Sequence, residues 1–181
     1  MKNYGKFYNY QHPKLGRLNL LTLTAKENDA FKSHLVISPN INTKDKLVKQ
    51  ILDMLADNPL CNPFSYTKAS FHNLEKSLET VELDSLVTHN NFKRTKYKPG
   101  FGLGTDAVQG MVKEVSEHNC TTIVGHSYKD AVPFYEALDF TIDEKTQLFT
   151  TPATNPKLVT YNKFELDPML SDLATDIFNN R

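Results

Sequence analysis

Apolar and polar positions change period several times along the chain, and each change marks an element. Residues 17–24 (RLNLLTLT) and 34–38 (HLVIS) are short apolar runs bounded by polar residues, the pattern of strands. Over residues 43–57, Leu47, Val48, Ile51, Leu52 and Leu55 recur at helical spacing, with Thr43 placed to cap the helix and Asn58-Pro59 placed to stop it. No period persists through 58–77, where two prolines interrupt the chain. Over residues 78–89, Val81, Leu83 and Val87 occupy odd positions while Glu82 and Asp84 face the other way, which predicts a half-buried strand. Ala107, Val108, Met111, Val112 and Val115 then form the stripe of a helix over 105–118. A buried strand over 121–127 (TTIVGHS), a helix over 130–138, two late strands over 147–152 and 158–166, and a last helix over 168–178 complete the pattern. The second half therefore alternates strands and helices, and the class it predicts is α/β or α+β with a mixed sheet.

At 181 residues the chain suits one domain, 1–181, with a core that needs no metal or disulfide. Lysine and arginine balance aspartate and glutamate at 21 each, so net charge gives no case for a nucleic-acid or membrane partner. The two cysteines, Cys61 and Cys120, lie far apart and outside metal-ligand spacing. Their number suits a reducing compartment. The first 25 residues lack the apolar run of a signal peptide, and nowhere do eighteen apolar residues follow one another. A cytoplasmic location is the expectation.

Between the strand at 78–89 and the helix at 105–118 stands KPGFGLGT, in which Gly100, Gly102 and Gly104 alternate. Such glycines let successive amides point into one concavity, and the helix start adds unpaired donors and a positive dipole end. The turn suits an anion, phosphate above all. The dinucleotide fingerprint fails, because Thr105 stands where a third glycine is needed, and the Walker pattern has no lysine in place. Upstream, Lys93, Arg94, Lys96 and Lys98 could meet the ends of a polyphosphate. A tight loop without a ligand, preceded by solvated cations, fits the same residues.

Three pieces in a fixed order carry a resemblance: GLGTDAV at the helix start, TTIVGHS as the next strand, and AVPFYEALDF from Ala131 to Phe140. Together the stretch from Leu83 to Phe140 resembles the core of the GNAT superfamily of acyl-CoA-dependent N-acyltransferases. In that family the glycine loop follows Gln/Arg-x-x-Gly-x-Gly/Ala and the later segment follows Ala-x-x-Phe-Tyr-x-x-Leu-Gly-Phe. This chain has Pro99 in place of the Gln/Arg, Tyr128 where an asparagine is common, and Asp139 in place of the last glycine.

The resemblance implies a mixed, mostly antiparallel sheet with a splayed parallel strand pair, flanked by helices. It implies an N-acyltransferase, most simply an acetyltransferase, with acetyl-CoA as cosubstrate and no metal. Coenzyme A would be held by main-chain groups of Leu86, Val87 and Thr88, where a bulge opens the strand, and of Gly100, Phe101, Gly102, Leu103, Gly104 and Thr105. Tyr135 matches the tyrosine that often protonates the leaving thiolate. For the base, Glu82 and His126 stand foremost, with Asp84 and His89 close by. The implied partner is an amine on a small molecule or a protein, and a homodimer is open. Two other classes fit: a protein of this fold that binds coenzyme A without turnover, and an unrelated nucleotide-binding module.

Overall fold

The computed structural model describes residues 2–56, 65–74 and 77–181. The strands are β1 (Lys2–His12), β2 (Gly16–Glu27), β3 (Ala30–Pro39), β4 (Thr67–Leu74), β5 (Ser77–Thr88), β6 (Thr122–His126), β7 (Thr141–Ile142), β8 (Leu148–Pro152) and β9 (Glu165–Leu166). The helices are α1 (Lys44–Leu55), α2 (Leu103–Ser116), α3 (Val132–Ala137) and α4 (Pro168–Asn179). The strands form one sheet in the order β7-β8-β6-β5-β4-β3-β2-β1-β9. Only β5 and β6 run parallel, because α2 carries the chain from one to the other; every other pairing is antiparallel.

Registers divide the sheet into two faces. On one, Leu18, Leu20, Leu35, Ile37, Phe71, Val81, Leu83 and Ile123 are buried with the stripe of α2 and with Tyr135 of α3. On the other, Phe7, Leu21, Leu23 and Val36 are buried against α1 and α4. The helices of this second face lie over β1 to β3, and its half over β4, β5 and β6 carries polar side chains.

The helices begin where their caps say. Thr43 accepts from the Lys46 amide at 3.3 Å, and Asp167 accepts from the Leu170 amide at 3.0 Å with Pro168 behind it. In α4, hydroxyls on the inner side take up the outer edge of β1. The Phe7 amide donates to Ser171 Oγ at 2.8 Å and the Gly5 amide to Thr175 Oγ1 at 2.9 Å. The close approach depends on Gly5, where a Cβ would stand 2.9 Å from that of Ala174.

Three expectations need correction. In α1 the inward residues are Leu47, Gln50, Ile51 and Met54, while Leu52 is half exposed; Gln50 is admitted because its amide reaches Ser65 Oγ at 3.0 Å. The segment 158–166 is not a strand but a run of turns ending in the two-residue β9, at the opposite edge of the sheet from β8. Leu158 and Phe164 are buried, but the segment's polar contacts go to α2, where Gln109 Nε2 donates to the Lys157 carbonyl and Lys163 binds Asp106 and Gln109. Finally, β1 had no predicted counterpart, since Phe7 faces α4 while Tyr8 and Tyr10 face α2, so no alternation shows. The proposed stop at Asn58-Pro59 lies outside the described residues.

Candidate active site

The parallel ladder ends at Leu83–Gly125, yet β5 continues to Thr88 along β4. The two strands part there and leave a wedge. A bulge marks its start, because Ser70 pairs with Ser85 and Phe71 with Leu83, so that Asp84 is the extra residue on β5. Asp84 and Ser85 consequently share the face of β5 that Glu82 occupies. Beyond the bulge, Leu86 turns toward α2 and Thr88 Oγ1 meets Thr67 Oγ1 at 3.2 Å.

Beside the wedge stands the start of α2. Its first intrahelical bond runs from the Asp106 amide to the Gly102 carbonyl, so the amides of Leu103, Gly104 and Thr105 point out of the helix without an intrahelical acceptor. The three glycines have separate reasons. Gly102 has φ +75°, while a Cβ on Gly100 would stand 2.9 Å from the Arg94 amide nitrogen, and one on Gly104 would stand 3.2 Å from the ring of Phe134. The turn is fixed from both sides. The Phe101 amide donates to the Phe92 carbonyl at 3.3 Å, and His12 Nε2 donates to the Phe101 carbonyl at 2.6 Å. That tautomer follows from Nδ1, which accepts the amides of Lys14 and Leu15 at 3.1 Å each.

Because nothing lies within 4 Å of a Cβ at Gly102, substitution there tests conformation alone. Gly102→Ala is expected to cost about 1–2 kcal/mol, read as a fall in Tm of roughly 2–8 °C for a chain of this size. A Tm within error of the parent would show that the left-handed turn is not required.

Tyr135 lies on the α2 face. Its ring stacks on Phe149 at 4.2 Å and meets Phe134 and Phe140 edge-on at 5.0 and 5.3 Å. Phe149 can lie flat across β6 only because Gly125 has no side chain; a Cβ there would come within 2.2 Å of the ring. The Tyr135 hydroxyl has no hydrogen-bond partner among the described residues. Burial pushes its pKa up to about 12, so it is a neutral donor across the physiological range.

On the opposite face, Glu82, Val124, Thr141, Asp143, Leu148 and Thr150 help line an open groove of about 700 Å³. Next to it His72, the register partner of Glu82, sits between two carboxylates. Its Nδ1 is 2.8 Å from Asp84 Oδ2 and its Nε2 3.8 Å from Glu82 Oε2. One ligand atom from each of the three lies within 4.8 Å of the others, a spacing that exposed acidic groups commonly show without an ion. His126 ends β6 on the same face but is exposed, with no side-chain hydrogen bond among the described residues.

No protein-family model matches the sequence, and no curated protein matches it. Solved structures do. A variant of the cAMP-binding acyltransferase from Mycobacterium smegmatis superposes with a TM-score of 0.56 at 9% identity, covering 97% of this chain and 55% of that one. This chain has a GNAT-like fold. It spans about half the length of the mycobacterial protein, and a second variant of that protein gives a TM-score of 0.53 at 10% identity, covering 96% of this chain and 54% of that one. A GNAT-family protein from Desulfovibrio desulfuricans is also similar, at 9% identity over 67% of this chain and 69% of that one, with a TM-score of 0.45.

Within this GNAT-like fold the residues named from sequence fall into two groups on opposite sides of one opening. Leu86, Val87 and Thr88 border the wedge, Gly100 to Thr105 form the turn and helix start beside it, and Tyr135 packs on the α2 side. Glu82 and His126 lie on the other side. His12 and His72 were not among them. His72 belongs to the segment in which no pattern is legible, although 67–74 does alternate once Thr67 and Asn73 are counted as inward. His12 has no local signal, because its partner is 89 residues away.

Proposed function

We propose that the chain is an N-acyltransferase that moves an acetyl group from acetyl-CoA to an amine by direct attack. The observation that supports this most is the wedge between β5 and β6 opening next to the bare N-terminus of α2. A helix start suits the coenzyme pyrophosphate, and the amides of Leu103, Gly104 and Thr105 are the donors available to it. The pantetheine arm then runs along β5 at Leu86, Val87 and Thr88, and the thioester lies where the strands part.

Tyr135 serves the sulfur. With a pKa near 12 it does not surrender its proton to a thiol that titrates at about 8.5. Its contribution is a hydrogen bond to the sulfur as negative charge builds there. The acceptor amine approaches from the groove face, where Glu82 and His126 both lie, and has to lose a proton before it attacks.

Coenzyme A should stabilise the protein, since a ligand that binds only the native state adds about 2.7 kcal/mol at a hundred times its Kd. For a chain of this length that is a rise in Tm of roughly 5–10 °C. Thermal denaturation with and without millimolar coenzyme A measures it, and product mass after incubation with acetyl-CoA and a panel of primary amines measures transfer. No shift and no acetylated product would sink the reading, as would a larger shift with ATP than with coenzyme A.

A further inference from the structure

We infer that His72, held by Asp84, is the group that takes the proton from the acceptor amine, and that the acceptor is a protonated primary amine drawn in by the carboxylates around it. This rests on the acyltransferase reading above. The bulge puts Asp84 on the groove face, level with the point where β5 and β6 separate, and its carboxylate receives the Nδ1–H of His72 at 2.8 Å. That bond fixes the tautomer and leaves the lone pair of Nε2 toward Glu82, 3.8 Å away. An imidazole with one nitrogen anchored and the other free beside an acidic groove is arranged to accept a proton from a cation. His126 has no such anchor, and the Glu82 carboxylate has no side-chain hydrogen bond among the described residues, only His72 Nε2 at 3.8 Å.

The charges around His72 favour the same ligand. Glu82 and Asp84 face it from β5, Asp143 lines the adjoining groove, and the one cation in register with it is Lys32 on β3. The side chains of His72, Glu82 and Asp84 are each about one-third exposed, which leaves them within reach of a ligand. In the step itself the ammonium gives one proton to His72 Nε2, which passes it to water. The free amine forms the C–N bond, the C–S pair leaves with sulfur, and the second nitrogen proton passes to water as the adduct collapses. Sulfur leaves as a thiolate hydrogen-bonded to Tyr135 and takes its proton from water.

The test uses the full chain, acetyl-CoA, and cadaverine, tyramine and a lysine-bearing peptide as acceptors. His72→Gln should keep the coenzyme A thermal shift while transfer falls about a hundredfold or more, in the range for loss of a general base. Asp84→Asn should lose about tenfold. Added imidazole should restore part of the rate to His72→Ala, which a purely structural histidine would not show. If the parent binds coenzyme A and acetylates an amine but His72→Gln turns over normally, the inference is overturned and the acyltransferase reading stands. Loss in His126→Gln with none in His72→Gln overturns it equally. If the parent neither binds coenzyme A nor acetylates any amine, both fall together.

Discussion

A Tyr135→Phe protein is expected to fold like its parent, to bind coenzyme A as tightly, and to turn over about a hundredfold more slowly or worse, the scale of a lost transition-state hydrogen bond. The aromatic packing on Phe149, Phe134 and Phe140 survives the change, because only the hydroxyl is removed and that hydroxyl has no partner among the described residues. The effect should therefore fall on kcat, with little change in Tm. Thioesters whose thiols are more acidic need less help at sulfur, so their rates should drop less. With the phenol held neutral up to about pH 12, no alkaline loss of rate below about pH 11 should trace to this residue. An unchanged kcat on an identified amine would return Tyr135 to the aromatic core and nothing more.

The largest expected loss of stability is at Glu114, far from the wedge. This carboxylate is 1% exposed beneath α2, where Oε1 accepts from the Tyr4 hydroxyl at 2.6 Å and lies 3.3 Å from both Thr24 Oγ1 and His118 Nε2. Among the described residues Oε2 has no hydrogen bond, only Lys6 Nζ at 3.4 Å. Burial by itself would raise its pKa, but His118, Lys6 and Tyr4 together hold it below the usual carboxylate range. Glu114→Ala leaves those donors facing a void and should cost on the order of 3 kcal/mol. In this chain that is a Tm lower by roughly 6–12 °C. A carboxylate whose pKa is depressed on folding stabilises above its unfolded pKa of about 4.3 and loses that contribution as pH falls through its folded value. The parent's Tm should thus drop more steeply below about pH 4 than that of Glu114→Gln, and parallel curves would show that the charge is not what stabilises.

Much of the frame is legible locally. The stripe of α2, the alternation of Val81 and Leu83, and the run over 121–127 each bury one face, so the sequence period carries the information. What is not legible depends on partners far along the chain. The two faces of β1 are both buried, which erases its period, and its existence follows from β2 on one side and α4 on the other. The expected strand over 158–166 has the right residues but no strand edge to pair with along most of its length. In the site, the glycine turn and Tyr135 are readable because each is a contiguous motif. The hydrogen bond of His72 to Asp84 is not, since it needs both the register of β4 on β5 and a bulge that no residue type announces.

The binding of α4 to β1 has a consequence for how this molecule meets its own copies. Along the outer side of β1, the Asn3 carbonyl is taken by Asn179, both backbone groups of Gly5 by Thr175, and those of Phe7 by Ser171 and Asp167, before β9 pairs with Tyr8 and Asn9. An open strand edge is a template for intermolecular pairing, and here a helix supplies the complement from within the chain. The other margin is the two-residue β7, too short to recruit a second molecule by main-chain bonds alone. A homodimer of this chain would therefore be built by apposing side chains, with each sheet ending inside its own subunit.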